Sequence, residues 1–109
     1  MAIPHANHGQ LIDLKPLSES GGEGQSTSLI KTDQLQLLHI VLRQGQQLHE
    51  HKVAGELSIQ CLAGRVRLDL PGRQIPLSAG QLTLLHGGEP HALVAELDSS
   101  LLLTLALQH

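Results

Sequence analysis

The chemistry available to this chain is concentrated in its histidines and the carboxylate beside them. His49 and His51 are separated by one residue, and Glu56 follows five residues after the second. Along an extended segment side chains alternate between faces, so an i, i+2 pair projects to one side. A second block, Gly80-Gln-Leu-Thr-Leu-Leu-His86-Gly-Gly88-Glu-Pro-His91, carries two more imidazoles. If His91 approaches His49 and His51, three nitrogens suit a first-row transition metal and leave coordination positions open for substrate or dioxygen. The competing reading makes all three ordinary polar residues, solvated or satisfied by backbone partners.

Glu56 has two roles open to it. As a fourth, oxygen ligand it would favour Mn, Fe or Ni, whereas the all-nitrogen set is compatible with Zn, Cu or Fe. As a solvated carboxylate beside Gly55 it would leave a three-histidine site. Strand parity bears on the choice, because Glu56 runs with Gln60 while Leu57 runs with Ile59 and Cys61, and only one set can face an interior. His86 is a candidate general base or acid, since imidazole titrates near neutrality, or else a solvent-facing turn residue. His39 sits in an apolar run and reads as a packing residue. His5, His8 and His109 are terminal and receive no role.

The elements that must position these residues are strands. Leu35–Leu42 and Leu57–Ala63 are apolar runs, and Val66-Arg-Leu-Asp-Leu70 alternates cleanly. Further strands are expected around Ile75 and Leu77, over 81–85, from Pro90 to Ala95 and over 101–107. Gly64, Pro71-Gly72, Ser78-Ala79-Gly80 and Asp98-Ser99-Ser100 are turns between them. Leu11–Leu14 is expected as a short edge strand. Short strands punctuated every eight to twelve residues indicate an all-β sandwich or barrel. Leucine favours helix slightly, but Gly and Pro interrupt every leucine-rich run before helical length.

Composition narrows the function classes. The 109 residues make one domain. The expected organisation is an N-terminal arm and edge strand over 1–27 and a barrel over 28–109. A formal charge of −3 and scattered Lys and Arg argue against nucleic acid. No apolar run reaches membrane-spanning length and no leader pattern opens the chain, so a cytoplasmic protein with no membrane partner is expected. The one cysteine, Cys61, lies in an apolar strand pattern and reads as a buried, inert thiol. Phe, Tyr and Trp are absent, which removes the stacking platforms that bind sugars and bases. Arg43, Arg65, Arg67 and Arg73 read as surface residues. No nucleophile elbow or phosphate-cradling glycine loop is present.

Gly45, His49, His51, Glu56 and Gly64, followed by Gly80, Gly88 and His91, resemble the two motifs of the cupin superfamily, in its small single-domain, RmlC-like form. The first motif reads G-x5-H-x-H-x(3,4)-E-x6-G and the second G-x5-P-x-G-x2-H-x3-N. Here Gly45 is two residues closer to His49 than the pattern has it. Leu57 occupies the expected glutamate position, so either a bulge shifts Glu56 in or the carboxylate ligand is missing. His86 stands in place of the proline and Ala95 in place of the asparagine.

The resemblance implies a double-stranded β-helix, a cupin-type jelly-roll barrel. It also implies one divalent transition metal (Fe, Mn, Ni, Zn or Cu) on His49, His51 and His91, with Glu56 optional, and a homodimer in which Leu11–Leu14 pairs across the interface. Two functions follow as expectations. One is a metal-dependent oxygenase or isomerase acting on a small oxygen-containing molecule, with His86 or Glu56 as acid/base. The other is a non-catalytic small-molecule or metal-binding module, a sensor or a store. In either case Leu57, Ile59, Val66, Leu68, Leu84 and Leu93 are expected to wall the pocket, which favours a compact and mostly apolar ligand.

Overall fold

A computed structural model describes residues 5–15, 25–51 and 53–107. Among them the chain forms nine strands and no helix: β1 (Gln25–Lys31), β2 (Leu35–Leu42), β3 (Gln47–His51), β4 (Leu57–Ala63), β5 (Arg65–Leu70), β6 (Arg73–Ser78), β7 (Leu82–Leu85), β8 (His91–Ala95) and β9 (Ser99–Ala106). They build two antiparallel sheets, in the orders β1-β2-β9-β4-β7 and β3-β8-β5-β6. The all-β jelly-roll architecture agrees with the sequence pattern.

Alternation fixes what each sheet buries. On β4, Leu57, Ile59 and Cys61 are buried while Ser58 and Gln60 are not. On β5 the same holds for Val66, Leu68 and Leu70 against Arg67 and Asp69. The inward positions of both sheets, with Leu93, Leu101 and Leu103, make one apolar core. Leucine, isoleucine and valine supply its bulk without an aromatic ring, which requires close interdigitation of branched side chains. Pro76 sits on β6, an edge strand, where proline is tolerated because one side of the strand has no ladder to complete.

Two differences from the sequence pattern concern ends of elements. No strand forms over Leu11–Leu14, and Leu11 is 94% exposed. A four-residue run is a strand only where a neighbour completes its ladder, and the described residues give this one none. Ser99 and Ser100, expected in a turn, instead open β9 and are buried. The Ser99 hydroxyl accepts the Arg65 N–H at 3.0 Å and donates to the Leu97 carbonyl at 2.7 Å, so a polar side chain is satisfied where the chain crosses between sheets.

Gly64 shares that corner. Its φ is +83°, and a Cβ there would collide with the Asp98 carbonyl and Ser99. Gly45, at φ +87°, has open space where a Cβ would go. Gly45→Ala should therefore cost only the left-handed backbone penalty, about 1–2 kcal/mol. Gly64→Ala should cost clearly more, because backbone has to move as well. Urea unfolding midpoints of the two variants measure the difference.

Leu84 corrects the expected pocket wall. β4 pairs with β7 in the register Leu57↔Leu85 and Ser58↔Leu84, so Leu85 shares the inward face of Leu57 while Leu84 faces outward, 61% exposed. Leu68→Ala should cost about 2–5 kcal/mol, as a buried cavity-forming change. Leu84→Ala should stay within about 0.5 kcal/mol of wild type. Denaturant titration of both variants checks the assignment.

Candidate metal and ligand site

The candidate site is built on β3 and β8, neighbouring strands of the four-stranded sheet. The ladder pairs Gln47 with Val94, Leu48 with Leu93 and His51 with His91, with a bulge between Leu48 and His51. Leu93 and His91 occupy alternate, buried positions of β8, so Leu48 and the backbone of His51 lie opposite inward-facing residues. The two residues between them, 49 and 50, together oppose Ala92. This is the extra residue of a β-bulge, and it breaks the simple alternation assumed from the His-x-His spacing. His49 is exposed. The side chain of His51 lies outside the described residues.

His91 is the best-defined member. It is 1% exposed, and its Nδ1 lies 3.2 Å from the Glu89 carbonyl oxygen. A carbonyl can only accept, so Nδ1 is the donor in this contact. A backbone acceptor on one ring nitrogen is how metal-binding imidazoles are held in the right tautomer.

Two close loop contacts support this region. The Gly88 N–H donates to the Val53 carbonyl at 2.7 Å. Gly87 lies so close to the Ala54 carbonyl that a Cβ would collide with it. The segment leading into β8 is thus tied to the segment leaving β3.

The other expected participants lie elsewhere. Glu56 is exposed, while Leu57 beside it is buried, so the apolar set of β4 takes the interior. His86 is also exposed, in the turn before β8. Its N–H lies 3.4 Å from the Glu89 carboxylate, and its carbonyl accepts the Glu89 N–H. Among the described residues no three His, Cys, Asp or Glu side chains form a group that could hold a metal ion.

A cavity of about 430 Å³ opens between β2 and β3, lined by Ser26, Ile40, Val41, Leu42, Gln46, Gln47 and Leu48. Its size suits a small ligand. The expected wall of Leu57, Ile59, Val66, Leu68 and Leu93 belongs instead to packed core, each at most 1% exposed. Sequence reasoning missed Ser26, Gln46 and Gln47, because only the meeting of two sheets brings them to one opening.

Cys61 is buried, and burial pushes its thiol pKa up despite a hydrogen bond to the Ala63 carbonyl, which suits an inert residue. Three of the four arginines meet carboxylates: Arg43 with Asp98 at 3.6 Å, Arg65 with Glu96 at 3.3 Å and Arg67 with Asp69 at 2.8 Å.

No protein-family model matches the sequence, and no curated protein is significantly similar to it. The backbone does find close likenesses among solved structures. A cupin superfamily protein from Desulfitobacterium hafniense superimposes with a TM-score of 0.81 at 16% identity, over 97% of this chain and 100% of the other. The fold is that of a small cupin. An RmlC-like cupin from Desulfovibrio desulfuricans agrees, with TM-score 0.74, 22% identity and coverage of 94% and 97%. A larger protein, the G106A mutant of salicylate 1,2-dioxygenase from Pseudoaminobacter salicylatoxidans, also superimposes on the chain. That match has TM-score 0.70 at 17% identity and covers 75% of this chain but 26% of the enzyme.

His39 is the second buried histidine among the described residues. It is 9% exposed on β2, between Thr27 of β1 and Leu102 of β9, and its Nε2 is buried without a hydrogen-bond partner. Burial lowers its pKa from 6.5. The unfolded chain binds a proton near pH 6.5 that the native chain refuses, so stability is full above that pH and falls as pH drops toward the native pKa. Urea midpoints at pH 7.5 and 5.5 should therefore fall less for His39→Leu than for wild type.

Proposed function

We propose that this cupin binds one divalent transition metal inside the barrel and uses it, as an oxygenase, on a small oxygen-containing molecule. His51 and His91 are the anchoring ligands in this reading, with His49 a third donor recruited by a one-residue shift of the bulge. The observation that carries the reading is His91 itself: a buried imidazole whose proton is tied to the Glu89 carbonyl and whose backbone pairs with His51.

The donor chemistry fits a borderline divalent cation such as Fe, Zn or Cu better than a hard cation that prefers oxygen. When bound, such an ion supplies Lewis-acid polarisation of a ligand oxygen and a coordination position for dioxygen. This chain's own contributions are the orientation of the imidazoles and an opening lined by Leu48, Ile40 and Leu42. Ser26, Gln46 and Gln47 add polar groups for orienting a ligand. An isomerase is less well supported, because it needs an acid/base facing the substrate and both candidates, His86 and Glu56, are exposed. The same exposure favours a second reading, a binding module without catalysis. The buried thiol of Cys61 is compatible with a reducing, cytoplasmic setting.

Metal analysis of untagged protein should give one ion per chain for wild type and for Glu56→Gln, and strongly reduced content for His51→Ala and His91→Ala. Equal content in all four would overturn the metal site. Oxygen uptake by the iron-loaded protein should appear with some member of a panel of diketones, thiols and phenolics. Silence across Fe, Mn, Ni, Zn and Cu would leave the binding module as the function.

A further inference from the structure

Beside β1 and β2 lies a second cavity, of about 340 Å³, that shares no lining residue with the opening beside Leu48. One wall is aliphatic: Ile30 of β1 with Leu35 and Leu37 of β2. Leu35 and Leu37 have the opposite parity to Leu38 and Ile40, which pack with the core, and Ile30 is the ladder partner of Leu37. That wall therefore belongs to the outer face of the five-stranded sheet. The other wall is the segment 6–10, with Asn7, His8 and Gln10 as its polar side chains.

Both walls are held by the chain's own hydrogen bonds. The Ala6 N–H donates to the Leu29 carbonyl at 3.0 Å, which ties the segment to β1. Within it the Gln10 N–H donates to the Asn7 carbonyl at 3.0 Å, and the Asn7 N–H to the Gln10 side-chain oxygen at 3.0 Å. Gly9 supplies a positive φ, +79°, at the third position of this turn. On the aliphatic side the Thr32 hydroxyl accepts the N–H groups of Gln34 and Leu35, at 3.1 and 3.0 Å. The cavity is thus preformed, and the surface it keeps open is apolar: Leu35 is 44% exposed, and Ile30 and Leu37 are only partly buried.

We infer that this cavity is a binding site for a small uncharged molecule that joins a branched aliphatic group to an amide. Its volume lies in the range of small-ligand sites. No Asp, Glu, Lys or Arg lines it, and Lys31 and Asp33 in the adjoining hairpin are exposed and stand outside the lining. A charged ligand would give up water there without gaining a partner, whereas a neutral one loses far less. The aliphatic wall accepts a branched side chain. The side-chain amides of Asn7 and Gln34 offer both donors and acceptors, which an amide on the ligand answers in kind. The main-chain groups of Gln34 are already engaged, its N–H by Thr32 and its carbonyl by the Leu107 N–H, so its side chain is the part left for a ligand. The site uses neither a metal nor the histidines of β3 and β8, and it stands apart from the proposed oxygenase chemistry.

Three probes test each part of the inference: N-acetyl-leucine amide, its carboxylate analogue N-acetyl-leucine, and N-acetyl-glycine amide, which lacks the aliphatic group. Titration of N-acetyl-leucine amide into the isotope-labelled full chain should give saturable NMR shifts at the backbone amides of Gly9, Ile30 and Leu37. The dissociation constant expected for a ligand of this size is on the order of 1 mM. The other two probes should bind about tenfold more weakly, one for its charge and one for its missing apolar surface. Leu35→Asp should weaken the neutral probe about tenfold, with an unchanged urea midpoint because that side chain is already largely open to solvent. Gln34→Ala, which removes only a side-chain amide, should weaken it several-fold and serves if the charged variant folds poorly. The absence of saturable shifts up to about 20 mM would overturn the assignment. So would equal binding of all three probes, binding unchanged in both variants, or shifts confined to Gln47 and Leu48, which would put the probe in the other opening.

Discussion

Everything in this protein depends on two sheets meeting through aliphatic side chains alone. With no aromatic ring to fill volume, the inward leucines, isoleucines and valines of β4, β5, β8 and β9 have to interdigitate closely, and they do: Ile59, Val66, Leu68, Leu93 and Leu101 are completely buried. Branched aliphatics hold few shapes, so filling the space requires each strand to keep its register against its neighbours. The ladder between β2 and β9 runs without interruption over its eight pairs, from Leu35↔Ala106 to Leu42↔Ser99. That unbroken pairing keeps Ile40 and Leu42 on the same side as Leu101 and Leu103.

One of the irregularities of the fold lies beside the candidate site. The bulge in β3 lies on an edge strand of the four-stranded sheet, beside the opening between β2 and β3. One extra residue there breaks the simple alternation that the His-x-His spacing assumes. On the next strand inward, the His91 ring is buried and hydrogen-bonded to the Glu89 carbonyl. The site thus combines one fixed imidazole with a neighbouring edge strand that carries a bulge.

Strands were legible in the sequence wherever the local pattern was strong. Leu35–Leu42 and Leu57–Ala63 stand in the structure with the bounds their apolar runs give, and Val66, Leu68 and Leu70 face inward as their alternation requires. Leu84 was not legible, because in Leu82-Thr-Leu-Leu85 both parities carry leucine and only the pairing with β4 chooses between them. Ser99 was misleading for a similar reason. Its composition signals a turn, yet its hydroxyl finds partners at Arg65 and Leu97, which makes a buried serine acceptable.

The sequence by itself determined the all-β class, the turns and the resemblance to cupins, because period-two alternation and left-handed glycines act over a few residues and need no distant partner. It also identified His91 as a candidate, through its place after Gly88. Only the tertiary structure decided that His91 and His39 are buried, that His49, His86 and Glu56 are exposed, and that Leu84 faces outward. Those outcomes depend on strand register, bulge position and the packing of one sheet on another, all of which join residues far apart in the chain. A one-residue change in pairing reverses which face a side chain occupies, and no local pattern specifies it.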